Sequence, residues 1–317
     1  RCAIGVANYP EDGRDLASLY RAARRAWARA RSQGGLTLAV FDPLQDGRGE
    51  HRLAMIEELR EALASNAVHL QFQPIVSLGD MRVVAAEGLA RWQLESGTVR
   101  SPAEFLPLAD ESGQMRDLNL RNLHQVTELL ASWRDDPVLA AVALSFNLSA
   151  RDLLDETIVE QLLALRRDPT DTPLKLTIEI TESDLVSDME ALRTTIRRLR
   201  RQGLRFAIDD FGVGYSSLAR LHQLEVDVVK LDGSFIADIE DRQESRDLVR
   251  AVIDIVHKLG ARVTAEYVQT AGQVALLRDM GCDYGQGSFV AYALPQARFE
   301  HLVRQGRQRD RLKYEQC

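Results

Sequence analysis

The feature that most limits how this chain can fold is a run of eight short strand-like segments with helical sequence between most of them. The strands read near 69–78, 83–91, 141–148, 174–181, 204–210, 226–231, 261–267 and 282–289. Amphipathic stretches near 115–133, 155–166, 188–202, 243–259 and 270–280 have the periodicity of helices. Such alternation over about 240 residues belongs to the α/β class and fits a closed (β/α)8 barrel. One joint departs from it. The first two strands are linked only by Leu78-Gly-Asp-Met-Arg82, whereas a parallel crossover needs a dozen or more residues. That joint is a hairpin. The expected architecture is a TIM-like (β/α)8 barrel with one antiparallel strand, plus a small N-terminal strand-helix-strand remnant.

The barrel is expected over 66–305, preceded by an N-terminal piece (1–45) and a linker with a coupling helix (46–65), and followed by a polar C-terminal tail (306–317). Residues 1–45 read as strand, turn (Tyr9-Pro-Glu-Asp-Gly13), helix and strand (Leu36–Phe41). The helix runs from Leu16 to Ser32, with Leu16, Leu19, Ala23, Ala26, Trp27 and Ala30 as its apolar face. Asp46–Glu50 reads as a polar linker, and Leu53, Ile56, Leu59 and Leu63 mark the coupling helix. The chain opens in strand-like sequence, so it is expected to be part of something longer. It shows no membrane-spanning run and no signal peptide. Cys2, Cys282 and Cys317 fit neither a disulfide framework nor a zinc motif. A reducing, cytoplasmic compartment follows, with any membrane anchor lying upstream. A formal charge of −7 argues against binding a nucleic-acid polymer. The basic runs Arg21–Arg31 and Arg193–Arg201 read as solvated helix faces.

Polar residues collect at the carboxyl ends of successive strands, on the face that alternation turns to the lumen. Asn147 alternates with the apolar Phe146 and Leu148, and Glu179 with Ile178 and Ile180. Glu87, Asp209, Asp210, Lys230 and Glu266 occupy equivalent places. Asp209 and Asp210 point to opposite sides of an extended chain, yet both can reach a cation where the strand turns. Glu87, Asn147, Glu179 and Asp209 form an all-oxygen set suited to a hard cation, Mg2+ or Mn2+. Asp210 and Glu266 supply enough further carboxylate for a second ion bridged by Asp209. Lys230 beside a bound water, and Arg91 for a phosphate, complete a set suited to phosphodiester hydrolysis. Taken singly, each residue reads as structural: Asn147 as a helix cap, Lys230 as an ion-pair partner. An enolase-type barrel, with carboxylates on successive strands and a lysine base, is the rival chemistry.

The motifs favour the first reading. Glu87-Gly-Leu-Ala-Arg-Trp92, Asn147-Leu-Ser149, Glu179-Ile-Thr-Glu182, the Asp209–Leu218 loop, Val226–Asp232, Ala265-Glu266 and Gln286-Gly287 together resemble the EAL domain, the family of cyclic di-GMP phosphodiesterases, over 66–305. Residues 1–45 resemble the closing segment of a GGDEF (diguanylate cyclase) domain.

The EAL resemblance implies a first metal on Glu87, Asn147, Glu179 and Asp209, and a second on Asp209, Asp210 and Glu266. It implies Lys230 near the attacking water with Asp232 in support, Arg91 on a substrate phosphate, and Gln73 and Leu89 lining the cleft. Glu182 would anchor the 210–218 loop, and Gln286 would order the water and metal region. The product would be linear pGpG. Bacterial second-messenger signalling, input from an upstream GGDEF or sensory region, and a homodimer formed near the 210–218 loop are further implications. The alternative is a catalytically silent cyclic di-GMP receptor. Gly88, Tyr267, Gln269, Ser288, Tyr292 and Ala293 depart from the family pattern, Tyr267 replacing a glycine directly beside Glu266.

Overall fold

The computed structural model describes residues 3–32, 37–65, 67–94, 96–165, 175–183, 189–212 and 223–314. The chain divides into two compact units: residues 1–66 with 103–115, and residues 67–102 with 116–317.

In the first unit β1 (Ala3–Val6) and β2 (Thr37–Val40) pair in parallel, with α1 (Leu16–Ser32) between them in sequence. The face that α1 buries is narrower than its pattern suggested. Ala22, Ala26 and Ala30, spaced four apart, are buried, Ala26 and Ala30 packing with Ala39, whereas Leu16 is exposed. Small side chains win there because they let a helix lie close to a two-stranded sheet. The helix α2 (Pro43–Ala64) runs straight through the segment expected to be a linker. Proline suits a first helical position, and Gly47 and Gly49 each weaken a helix by only about 1 kcal/mol. The short helix α3 (Pro102–Glu111) also belongs to this unit, and the side-chain amide of Gln114 donates to the Ile56 carbonyl at 3.2 Å.

The second unit is the barrel. Its strands are β3 (Val68–Ser77), β4 (Val83–Gln93), β6 (Ala143–Asn147), β7 (Leu176–Thr181), β8 (Arg205–Phe211), β9 (Val228–Leu231), β10 (Arg262–Ala265) and β11 (Tyr284–Gln286). Each pairs with the next, and β11 pairs with β3, closing the sheet; the two-residue β5 (Val99–Arg100) adds to the outer end of β4. The reversed strand is β3, antiparallel to both β4 and β11, as the five-residue hairpin required. The other barrel pairs are parallel. Helices α4 (Met115–Trp133), α5 (Glu156–Ala164), α6 (Met189–Arg200), α8 (Gln243–Lys258) and α9 (Ala271–Asp279) fall where the periodicity put them, and a short α7 (Gly233–Ile236) follows β9.

Outward residues of the strands, including Phe72, Leu144, Phe146, Ile178, Ile180, Phe206 and Ile208, form one continuous apolar layer with the helices. Phe72, Trp133 and Phe299 cluster with ring centroids 5.8–6.5 Å apart. That cluster seats the last helix, α10 (Gln296–Tyr314), which occupies most of the segment read as a polar tail. Leu294 exchanges backbone hydrogen bonds with Phe72 just before it. No helix among the described residues is long and apolar enough to cross a membrane.

Candidate functional site

Strand register gathers the polar residues at one barrel mouth. Glu87 lies beside Gln73 on β3 and Ser145 on β6, and Asn147 lies beside Glu179. The hub is Lys230 on β9, 1% exposed, although lysine is among the residues least often buried. Its Nζ lies 2.7 Å from Glu179 Oε2, 2.9 Å from Asp209 Oδ1, 2.9 Å from Glu266 Oε1 and 3.2 Å from Glu87 Oε2. Burial disfavours its charge, but the four carboxylates outweigh that and hold it protonated, well above the usual lysine range. As it stands Lys230 is an ammonium that ties the four carboxylates together.

The acids respond individually. Burial, reinforced by Glu87 and Asp209, pushes Glu179 well up despite Lys230. Burial likewise carries Glu266 to about 7, against the pull of Lys230. Burial works on Glu87 too, but Lys230 and hydrogen bonds from Gln286 and Asn147 outweigh it, and Glu87 lies below the ordinary value. Those bonds run from Gln286 Nε2 at 2.7 Å and Asn147 Nδ2 at 2.9 Å. Gln286 Nε2 also donates to Gln73 Oε1 at 3.2 Å.

Asp209 and Asp210 reach the same side through a local irregularity. Between Ile208 and Phe211, β8 spends one more residue than β9, and Asp210 takes φ +52°. A bulge with a left-handed residue undoes the strict alternation of the strand. Two overlapping carboxylate triplets result: Glu87, Glu179 and Asp209, and Asp209, Asp210 and Glu266. In each, oxygens lie within 4.8 Å of one another. All donors are hard oxygens, suited to Mg2+ or Mn2+ and poorly suited to softer metals. The Gln286 Oε1 and Ser145 Oγ atoms are buried without a hydrogen-bond partner. A hydrated cation would supply donors for such acceptors, so the residues fit the ion that the sequence implied.

Glu182, also buried, accepts from the Gly212 amide at 2.6 Å, tying the end of β8 to β7. Gly212 has φ +104°, and a Cβ there would fall 1.9 Å from Phe235 Cε2, so no other residue fits. The rest of the 210–218 loop, with the pairing surface expected there, lies outside the described residues from 213 onward. A cleft of about 430 Å3 opens over the triplets, lined by Gln73, Leu89, Asp210, Glu266, Gln286 and others, including Tyr267 and Tyr292. Arg91 and Asp232 are not among its lining. Arg91 is half-buried and donates to the Ala90 carbonyl at 2.9 Å. Asp232 caps α7 by accepting from the Ser234 amide at 2.9 Å. Tyr267 does not displace Glu266: its side chain is largely exposed, and Glu266 keeps its place beside Lys230.

A TIM-like barrel with one reversed strand and an acidic all-oxygen cluster at its mouth defines a barrel protein with a candidate metal centre. More particularly, the chain belongs to the EAL domain family, which its residues 56–293 match. It is 33% identical over 300 residues to the cyclic di-GMP phosphodiesterase PdeR of Escherichia coli K12, covering 94% of this chain and 45% of that one. It is 32% identical over 305 residues to the cyclic di-GMP phosphodiesterase NbdA of Pseudomonas aeruginosa, covering 95% and 38%. The chain thus spans less than half the length of these two relatives. Among solved structures it is similar to the PaMucR phosphodiesterase in complex with c-di-GMP, with TM-score 0.71, 28% identity, and coverage of 78% of this chain and 99% of that one. It is also similar to the FimX EAL domain from Pseudomonas aeruginosa bound to c-di-GMP, with TM-score 0.67, 28% identity, and coverage of 74% and 93%.

Proposed function

We propose that this barrel is a cyclic di-GMP phosphodiesterase that uses two divalent cations, Mg2+ or Mn2+, to hydrolyse one phosphodiester bond and release linear pGpG. The observation that carries the reading is the pair of carboxylate triplets sharing Asp209. The phosphodiesterase names of two relatives support the substrate and reaction.

Glu87, Asn147, Glu179 and Asp209 would hold one cation, and Asp209, Asp210 and Glu266 the other. Bound there, such ions supply Lewis acidity, lowering the pKa of a bound water and neutralising phosphate charge. The remaining work falls to the chain. Lys230 keeps the carboxylates in register and presents an ammonium beside the attacking water. Gln286 and Asn147 fix the Glu87 carboxylate. Gln73 and Leu89 shape the cleft and Glu182 anchors the loop after β8; Arg91, which lies outside the cleft lining here, would have to turn from the Ala90 carbonyl to meet a substrate phosphate, and Asp232 would support the Lys230 region from the start of α7. The water oxygen would bond to phosphorus with its proton passing to solvent, the bond from phosphorus to O3′ would break, and O3′ would take up a proton from solvent to become the free hydroxyl of pGpG. Input from an upstream GGDEF or sensory region, and pairing of two barrels near the 210–218 loop, belong to the same proposal.

The test is chromatography of cyclic di-GMP incubated with the chain and either cation. Conversion to pGpG that disappears in Glu87→Ala and in Asp209→Ala is expected. Binding with no conversion would overturn the proposal in favour of a receptor.

A further inference from the structure

Two non-glycine residues lining the cleft hold a left-handed backbone: Asp210 and Tyr267, the latter with φ +54°. Asp210 has its place in a carboxylate triplet. Tyr267 has no such role and is 64% exposed. A bulky residue is strained in that conformation, and a ring standing in solvent adds little to folding. Strain retained at a cleft points to function.

The ring is nonetheless held in place. It lies against the bare backbone of Gly233, where an added Cβ would fall 2.6 Å from Tyr267 Cδ2 and 2.7 Å from its Cγ. It directly follows Glu266, so an aromatic face stands at the edge of the acidic cluster. A second exposed aromatic, Tyr292, lines the same cleft.

We propose that Tyr267 is a base-stacking residue, its ring forming a wall on which a nucleobase of the substrate lies while the acidic cluster engages the phosphodiester. The inference rests on the cyclic di-GMP reading above and adds how a base is gripped. Stacking on an aromatic ring needs only the face of the base, so it confers affinity without hydrogen-bond readout.

The experiment measures KM and kcat for cyclic di-GMP, with calorimetric binding alongside, in the intact chain and in Tyr267→Ala, Tyr267→Phe, Tyr267→Gly, Gly233→Ala and the Gly233→Ala, Tyr267→Gly double variant. Loss of one stacked base is expected to raise KM about tenfold in Tyr267→Ala with kcat within about twofold. Tyr267→Phe should keep the wild-type KM. Tyr267→Gly should raise KM as Tyr267→Ala does while raising the melting temperature, because glycine relieves the strain. Gly233→Ala should raise KM by pushing the ring aside, yet add nothing when Tyr267 is already glycine, since only glycine removes the Cβ that would otherwise still lie 2.9 Å from the new methyl group. An unchanged KM in Tyr267→Ala, with the wild-type chain turning over, would overturn this inference and leave the phosphodiesterase reading standing. A wild-type chain that neither binds nor cleaves cyclic di-GMP would remove both.

Discussion

Lys230 Nζ lies 2.7 Å from Glu179 Oε2, with both side chains only 2% exposed. Few arrangements bury an ammonium so completely, and this one is tolerable only because Asp209, Glu266 and Glu87 close around it as well.

Removing the lysine should therefore leave several buried carboxylates without compensation. Lys230→Ala is expected to lose about 3–5 kcal/mol of stability in the presence of chelator. Urea unfolding with and without Mn2+ checks it. Added cation should recover more of the midpoint in the variant than in the wild type, since ligand binding to the folded state stabilises it. Equal recovery would mean that the lysine does not compete with the ion for these carboxylates, and no recovery in either would mean that they do not bind it.

Asp210 separates strain from function. Asp210→Gly should gain about 1 kcal/mol, because glycine adopts the left-handed conformation freely. It should also show a smaller Mn2+-induced rise in melting temperature, having lost a carboxylate of the second triplet. Both readouts come from one pair of thermal scans.

Much of this was legible in the sequence, for definite reasons. Strand and helix periods are local, so the eight strands and the helices between them were readable, and the short Leu78–Arg82 joint fixed the reversed strand. Residue types at strand ends named the acidic cluster. Other features depend on tertiary context that no local pattern carries. Alternation set Asp209 and Asp210 on opposite faces and only the turn at the strand end was expected to let both reach one cation; the bulge in β8 and the left-handed backbone of Asp210, which bring that about, are not written in any local pattern. Gly47 and Gly49 suggested a linker, but α2 runs through them. Leu16 looked like core and is exposed, because the alanines make the closer contact. The full burial of Lys230 among four acids was also invisible, since each comes from a different strand.

Gly88 offers a stabilising change. A Cβ there would sit 3.4 Å from the Ser145 carbonyl oxygen and 3.5 Å from Leu70 Cδ1, both ordinary contacts. Gly88→Ala should gain about 0.5–1 kcal/mol by restricting the unfolded chain. Urea unfolding measures it, and a loss of stability would show that β4 cannot accept the methyl group.

Away from the mouth, Asp283 gives a pH-dependent stability. Its side chain is mostly buried; desolvation works against its charge, but His257 at 2.7 Å, the Val263 amide at 2.9 Å and Arg262 at 2.6 Å outweigh that and hold its pKa below the ordinary value. A carboxylate with a depressed folded pKa stabilises fully above its unfolded value, near 4, and loses that contribution as pH falls through the folded value. Asp283→Asn should therefore be less stable than the wild type at pH 6, with the difference shrinking below pH of about 4. A difference that stays constant down to pH of about 2 would contradict the linkage.

The measurement that bears most directly on the account is chromatography of cyclic di-GMP incubated with the purified chain in Mn2+, in Mg2+ and in chelator. pGpG should accumulate with either cation and be absent with chelator or in Glu87→Ala. Intact cyclic di-GMP after prolonged incubation with both cations, in a chain that remains folded, would contradict it.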